Sequence, residues 1–290
     1  MRMPAKSIDP NDLAADATGY LERLVSFDTT SRNSNLEIID FISGELERAG
    51  AKTSRVPNGD GNKANLYASL GPDAEGGVVL SGHTDVVPVD GQDWHSDPFT
   101  LQRREDRLYG RGTCDMKGFI ALALAAARRA TDTSRPLHFA FSYDEEVGCL
   151  GAPAMIAEIA AKLPTPLAVI VGEPTNMEVV GAHKGISAFA VTVTGHEAHS
   201  SLTHLGISAN MVAIGLMARL SELAQSLESE QSHDSPFTPP HATLTIGEIQ
   251  GGTAVNILAR QCRFAATEGL GAGTQLVIRH LHGWIVRLPA

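Results

Sequence analysis

The chain is poor in cysteine, in basic charge and in long apolar runs, and each shortage removes a class of function. Three cysteines among 290 residues, Cys114, Cys149 and Cys262, cannot build a disulfide framework, and an odd number fits a reducing compartment. Lysine and arginine total 23 against 33 aspartates and glutamates, a net charge of −10 with a pI near 5.5. That balance argues against a protein that grips a phosphate backbone, so no nucleic-acid partner is expected. The longest apolar run, FIALALAAA at 119–127, is far short of the roughly 20 residues a membrane helix needs. The opening MRMPAKSIDPNDLAADA has no apolar core of the kind a secretory signal carries. The expectation is a soluble, cytoplasmic protein with no membrane partner. With 43% hydrophobic and 19% charged residues it should be globular, and its length suits one large domain or two smaller ones.

What is present is an alternation of helices and strands. Helical spacing covers 12–27 and 35–49, the latter ended by Gly50. Runs rich in apolar and β-branched residues at 64–70, 76–88, 136–146 and 166–174 read as strands, with helices at 116–130 and 151–162. This predicts an α/β layer around a mostly parallel sheet over residues 1–182. The texture changes near 183. SAFAVTVTG at 187–195 alternates strictly, a helix follows at 207–229, and further strands are expected at 241–252 and 256–265. Residues 183–264 therefore read as a smaller α+β domain, with a proline-rich loop at 230–240. The stretch 265–290 has no clear period and few charges, and reads as an anomalous tail.

Four polar signals fall at predicted strand ends, where open α/β sheets build their sites. In SGHTDVVP, His83 and Asp85 stand two apart, so they point the same way. In YGRGTCDMKG, Asp115 sits between a glycine-rich turn and a helix. It could equally be an N-cap, with Cys114 as small buried packing. In SYDEEVG, the carboxylates Asp144, Glu145 and Glu146 close an apolar strand. Strand alternation would separate Glu145 from Glu146, so that one binds a metal while the other takes a proton from water. Glu173 follows the strand of VIVGEPT. Each signal alone also reads as a turn, a cap or a solvated loop. Together, one histidine and three carboxylates at successive strand ends describe an N/O-rich cage for zinc, cobalt or manganese. A bridging carboxylate there could hold two ions roughly 3.5–4 Å apart.

The ordered series SGHTDVVP, RGTCDMKG, SYDEEVG, VGEPT and GHEAHSS, within roughly residues 15–263, resembles the co-catalytic zinc amidohydrolases. The resemblance implies a zinc-peptidase-like three-layer catalytic domain with a ferredoxin-like lid or dimerisation domain. It also implies two divalent ions, zinc or cobalt, an N-acyl amino acid substrate and a homodimer. By the same resemblance His83, Asp115 and Glu173 would bind the first ion, and Asp115 and Glu146 the second. Asp85 would orient His83, and Glu145 would be the general base. His199 in GHEAHSS would donate a hydrogen bond to the oxyanion, with Asn256 of GGTAVN on the same surface. His196 and His204 match no motif and read as solvated. GEPTNMEVVGAHKG resembles the acetylornithine-cleaving branch, which implies a place in arginine synthesis. A desuccinylase or a broader aminoacylase is the alternative within the family, and an inactive remnant is the alternative outside it. In the family the chain runs on and returns to the large domain with a last histidine for the second ion. Residues 265–290 do not match that pattern, and their histidines, His280 and His282, stand in HLHG. A shift of reading frame, or an incomplete frame, near 265 is the expectation, which leaves both domains incomplete; a genuine divergent terminus is the alternative.

Overall fold

The computed structural model describes residues 9–130, 133–230 and 235–270. It divides into two compact units, Met1–Glu178 and Val179–Ala290.

In the first unit α1 (Pro10–Val25) is started by Asp9, whose carboxylate accepts from Asn11 N, and by Pro10 in the first turn. α2 (Leu36–Arg48) follows, then β1 (Lys52–Pro57), β2 (Ala64–Leu70) and β3 (Val78–His83). A short hairpin, β4 (Gln102–Arg104) and β5 (Arg107–Tyr109), precedes a wide helical turn at Thr113–Lys117 and α3 (Gly118–Arg129). β6 (Leu137–Ser142), α4 (Ala152–Lys162) and β7 (Ala168–Val171) complete the unit. The sheet order is β1-β2-β6-β3-β7. β6, β3 and β7 run parallel, whereas β1, β2 and β6 pair antiparallel. The parallel half is the one that carries the polar motifs.

Strand alternation sorts the core into two layers. Phe139 and Phe141 of β6 and Leu66 and Ala68 of β2 pack against α1, α2 and α3. Ala140, Tyr67 and Val79 face the other way, toward Met155 of α4. Helices on both faces make the three-layer architecture expected from the sequence. β7 departs from the buried habit of parallel strands: Val169, Ile170 and Val171 are all exposed.

The second unit contains β8 (Gly185–Thr194), α5 (Ala209–Ser229), β9 (Thr243–Gly251) and β10 (Gln261–Leu270). They form an antiparallel sheet in the order β8-β10-β9. Ala209, Ala213 and Leu220 of α5 pack on Phe264 and Cys262, with Phe189, Val191 and Val193 beside them. This is the β-α-β-β order read from the sequence. The last strand lies further along than expected. Residues 256–260 are loop, and β10 runs through 265 to Leu270, paired on both sides. The strand therefore includes the first residues assigned to the tail, while the rest of it, with His280 and His282, lies outside the described residues. No helix among the described residues is long and apolar enough to cross a membrane.

Candidate metal centre

β3 ends on His83, between β6 and β7, and delivers a ring that is 1% exposed. Its Nδ1 lies 2.9 Å from the carbonyl oxygen of Asp85 and 3.5 Å from that residue's Oδ1. A carbonyl can only accept, so Nδ1 carries a proton and Nε2 is left to face the site. Nε2 stands 2.9 Å from Asp115 Oδ1, 3.9 Å from Glu173 Oε1 and 4.0 Å from Glu145 Oε2. Burial pulls the His83 pKa down, but Asp85, Asp115 and Glu173 overcome it and hold it at about 9.

Asp115 lies in the Thr113–Lys117 turn in extended backbone, and the residue preceding α3 as its cap is Lys117. The carboxylate is therefore not spent on capping; it is half-exposed and turned to His83. The motifs are fitted to each other by packing. Met116 is fully buried, and its sulfur accepts from His83 N at 3.3 Å. A Cβ at Gly82 would stand 2.6 Å from Met116 Cε. Gly112 has φ of +80°, and a Cβ there would meet Val86 Cγ1 at 2.7 Å. Cys114 is exposed rather than buried packing, as is Cys149; Cys262 is the buried thiol.

The reason expected for Glu145 and Glu146 to point apart does not apply. β6 stops at Ser142, and 144–149 is a tight turn opened by Asp144 at φ +56°. Turn geometry, not strand alternation, places the two side chains. The Asp85 carboxylate grips this turn, accepting from Glu145 N at 3.1 Å and Glu146 N at 3.2 Å. Ser31 Oγ donates to the same carboxylate at 2.7 Å. Burial would raise the Asp85 pKa, but His83, Ser31 and the Glu145 amide lower it. Burial, with Asp115, Glu145 and Asp85 adding to it against His83, pushes Glu146 up. Glu173, just beyond β7, is raised by burial and by Asp115 and Glu145, again against His83.

His83, Asp115 and Glu173 each offer one ligand atom, all within 4.8 Å of one another, and could hold a metal ion. The donors, one imidazole nitrogen and carboxylate oxygens, suit a divalent ion of the zinc or cobalt kind. The electrostatics point the same way. Glu146 and Glu173, raised by burial and by neighbouring carboxylates, beside an imidazole that keeps its proton, mark a place built for positive charge.

His199 belongs to the second unit. Its backbone bridges to Ile257, Ser200 N donates to Asn256 O at 2.9 Å, and Leu258 N to Ala198 O at 2.9 Å. GHEAHSS and GGTAVN are thus neighbouring loops. The ring is exposed, and Ser201 N donates to Nδ1 at 3.2 Å. His196 and His204 are exposed.

Sequence reasoning missed Ser31, Lys63, Asn35 and Lys117, the polar groups buried beneath the site. Asn35 donates to Ala64 O and Thr84 Oγ1 and accepts from Ala64 N, tying α2 to β2 and to the residue after His83. Lys117 Nζ donates to Phe27 O at 2.8 Å from a fully buried position.

Comparison with known proteins sets this geometry in a family. The chain is 40% identical over 249 residues to the acetylornithine deacetylase of Myxococcus xanthus, across 84% of this chain and 64% of that protein. It is 37% identical over 251 residues to the acetylornithine deacetylase of Aliivibrio salmonicida, across 84% and 65%. It thus spans a little under two thirds of the length of these curated relatives. Among solved structures, the M20 family metallo-carboxypeptidase Sso-CP2 from Sulfolobus solfataricus superposes with a TM-score of 0.74 at 17% identity, over 92% of this chain and 75% of that one. A tripeptidase from Staphylococcus aureus gives 0.65 at 18% identity, over 89% and 67%. Residues 79–268 match peptidase family M20/M25/M40, a span that contains every metal-site candidate named above, and the chain belongs to that family.

Proposed function

We propose that this site hydrolyses the amide bond of an N-acyl amino acid, and that the substrate is N-acetyl-L-ornithine, released as L-ornithine and acetate. The observation that carries the reading is the convergence of His83, Asp115 and Glu173 within 4.8 Å, with the Glu145–Glu146 turn fixed beside them by Asp85. His83, Asp115 and Glu173 would hold one divalent ion, and Asp115 and Glu146 a second, zinc or cobalt in each case. Such ions supply Lewis acidity and bring the pKa of bound water toward about 7. The chain's own residues do the rest. The Glu145 carboxylate takes a proton as the water oxygen attacks the acyl carbon, and returns it to the leaving amine when the C–N bond breaks. His199 is the proposed donor to the developing oxyanion; Nδ1 accepts from Ser201 N, which leaves Nε2 as the donating nitrogen. Asp85 serves the reaction by holding both His83 and the acidic turn. The names of the relatives support the acetylornithine assignment; a role in arginine synthesis, in the cytoplasm, by a homodimer, is part of the same proposal.

The test is a comparison of kcat/KM for N-acetyl-L-ornithine and N-succinyl-L,L-diaminopimelate with the cobalt- or zinc-loaded chain. The acetyl substrate should be preferred. A preference for the succinyl substrate overturns the substrate assignment, and failure to cleave either when two ions are bound overturns the reaction.

A further inference from the structure

We propose that Lys63 is a positioning residue for the Glu145–Glu146 turn. The proposal deepens the functional reading above, because it concerns how the proposed base and ligand are held. Lys63 is 9% exposed at the entry to β2. Its Nζ donates to Asp144 Oδ1 at 2.5 Å and to the carbonyl of Ser31 at 2.5 Å. It thereby joins two segments that grip the turn from opposite ends. Asp144 opens the turn in the left-handed region, at φ +56°. An aspartate stays there when its surroundings hold it, and here the ammonium fixes its side chain while Leu150 N donates to its carbonyl at 3.0 Å. Ser31, held through its carbonyl, sends its hydroxyl to the Asp85 carboxylate that receives the Glu145 and Glu146 amides. One buried cation thus supports the turn directly through Asp144 and indirectly through Ser31 and Asp85. It also sets a basic side chain against the first of three consecutive carboxylates, Asp144, Glu145 and Glu146.

Lys63→Met keeps the length of the side chain and removes the charge. Amide hydrogen exchange at Glu145 and Glu146 should then quicken by about tenfold or more, the size of one lost hydrogen bond to a charged group. Amides of β3 and β6 should keep their rates. The visible absorption of the cobalt-loaded chain should change, although His83, Asp115 and Glu173 are untouched. Lys63→Arg, which keeps the charge, should restore both signals at least in part. Asp144→Asn removes the other half of the pair and should loosen the same two amides, so the outcome does not hang on one variant folding. Exchange that is unchanged at 145 and 146, or that rises only in step with β3 and β6, would reduce Lys63 to a general contributor to stability and overturn the proposal. If the unaltered chain bound no cobalt, the metal reading would fail, and the exchange measurement would still decide on Lys63.

Discussion

His83 keeps a proton in the metal-free chain well above the pH at which a free imidazole releases it, and a metal ion has to displace that proton. The groups facing the ring explain why. Asp85 lies against Nδ1, and Asp115, Glu145 and Glu173 stand 2.9, 4.0 and 3.9 Å from Nε2. Burial opposes the charge, the carboxylates outweigh it, and the pKa moves from 6.5 to about 9. Coordination needs the Nε2 lone pair, so binding is linked to loss of this proton. At pH 7 the ring is about two pH units below its pKa. Displacement then costs about 2.7 kcal/mol, or roughly 100-fold in apparent affinity, relative to the plateau above pH 9. Affinity for the first zinc or cobalt ion should rise about tenfold per pH unit from 7 to 9 and then level. Chelator competition, corrected for the chelator's own protons, reads the affinity. Calorimetry in two buffers of different ionisation heat reads the proton, and should find about one released per first ion at pH 7 and none well above 9. An affinity flat from pH 7 to 9, or binding at pH 7 without proton release, would refute the argument.

Thermal melting of the metal-free chain is the wrong readout for this effect. A raised histidine pKa contributes stability that is full below 6.5 and is lost as pH rises through about 9. Lys117 works in the opposite sense. Burial, only partly offset by Asp28, takes its pKa from 10.5 down to about 7, so its contribution is full above 10.5 and is lost as pH falls toward 7. Between pH 7 and 9 the two slopes oppose each other. Lys117→Met removes one of them, and the melting temperature of that metal-free variant should then fall as pH rises from 7 to 9.

Two further outcomes follow from the same residues. Glu145→Gln should lower kcat by about 10²–10⁴-fold, the worth of a general base, and leave the metal content after dialysis unchanged; loss of metal together with activity would make Glu145 a ligand. Among the described residues the first ion has three proposed ligands and the second only Asp115 and Glu146, so dialysed chain should retain nearer one ion than two, measured as metal per chain. Two tightly held ions would place a further ligand outside the described residues, with His280 and His282 the first to substitute.

Most of the proposed site residues were legible because they sit at, or within a few residues of, the end of an apolar strand. His83 ends β3, Glu145 and Glu146 follow β6, and Glu173 follows β7, and three parallel strands side by side must bring their carboxyl ends together. Order along the chain therefore became proximity in space with no knowledge of the loops. The bland alternatives were decided by structure alone. Whether Asp115 capped a helix depended on where α3 begins, and it begins three residues later, at Gly118. Boundary errors of this size are harmless for a strand and decisive for a cap.

The supporting residues were illegible for the opposite reason. Ser31 and Asn35 lie between α1 and α2, and Lys63 in the turn before β2, segments whose composition reads as ordinary loop. Their partners stand far away in sequence: Asp85 is 54 residues from Ser31, and Asp144 is 81 residues from Lys63. A motif shows itself when its members share a short window, and these groups share only a volume beneath the strand ends. The same holds for Met116, whose apolar side chain looked like the start of a helix yet receives the backbone N–H of His83. The carboxylates that would face the ions can be read along the chain because chemistry dictates their type. The groups that hold them still are chosen by the fold, and any serine, lysine or asparagine arriving at that depth with the right reach could have served.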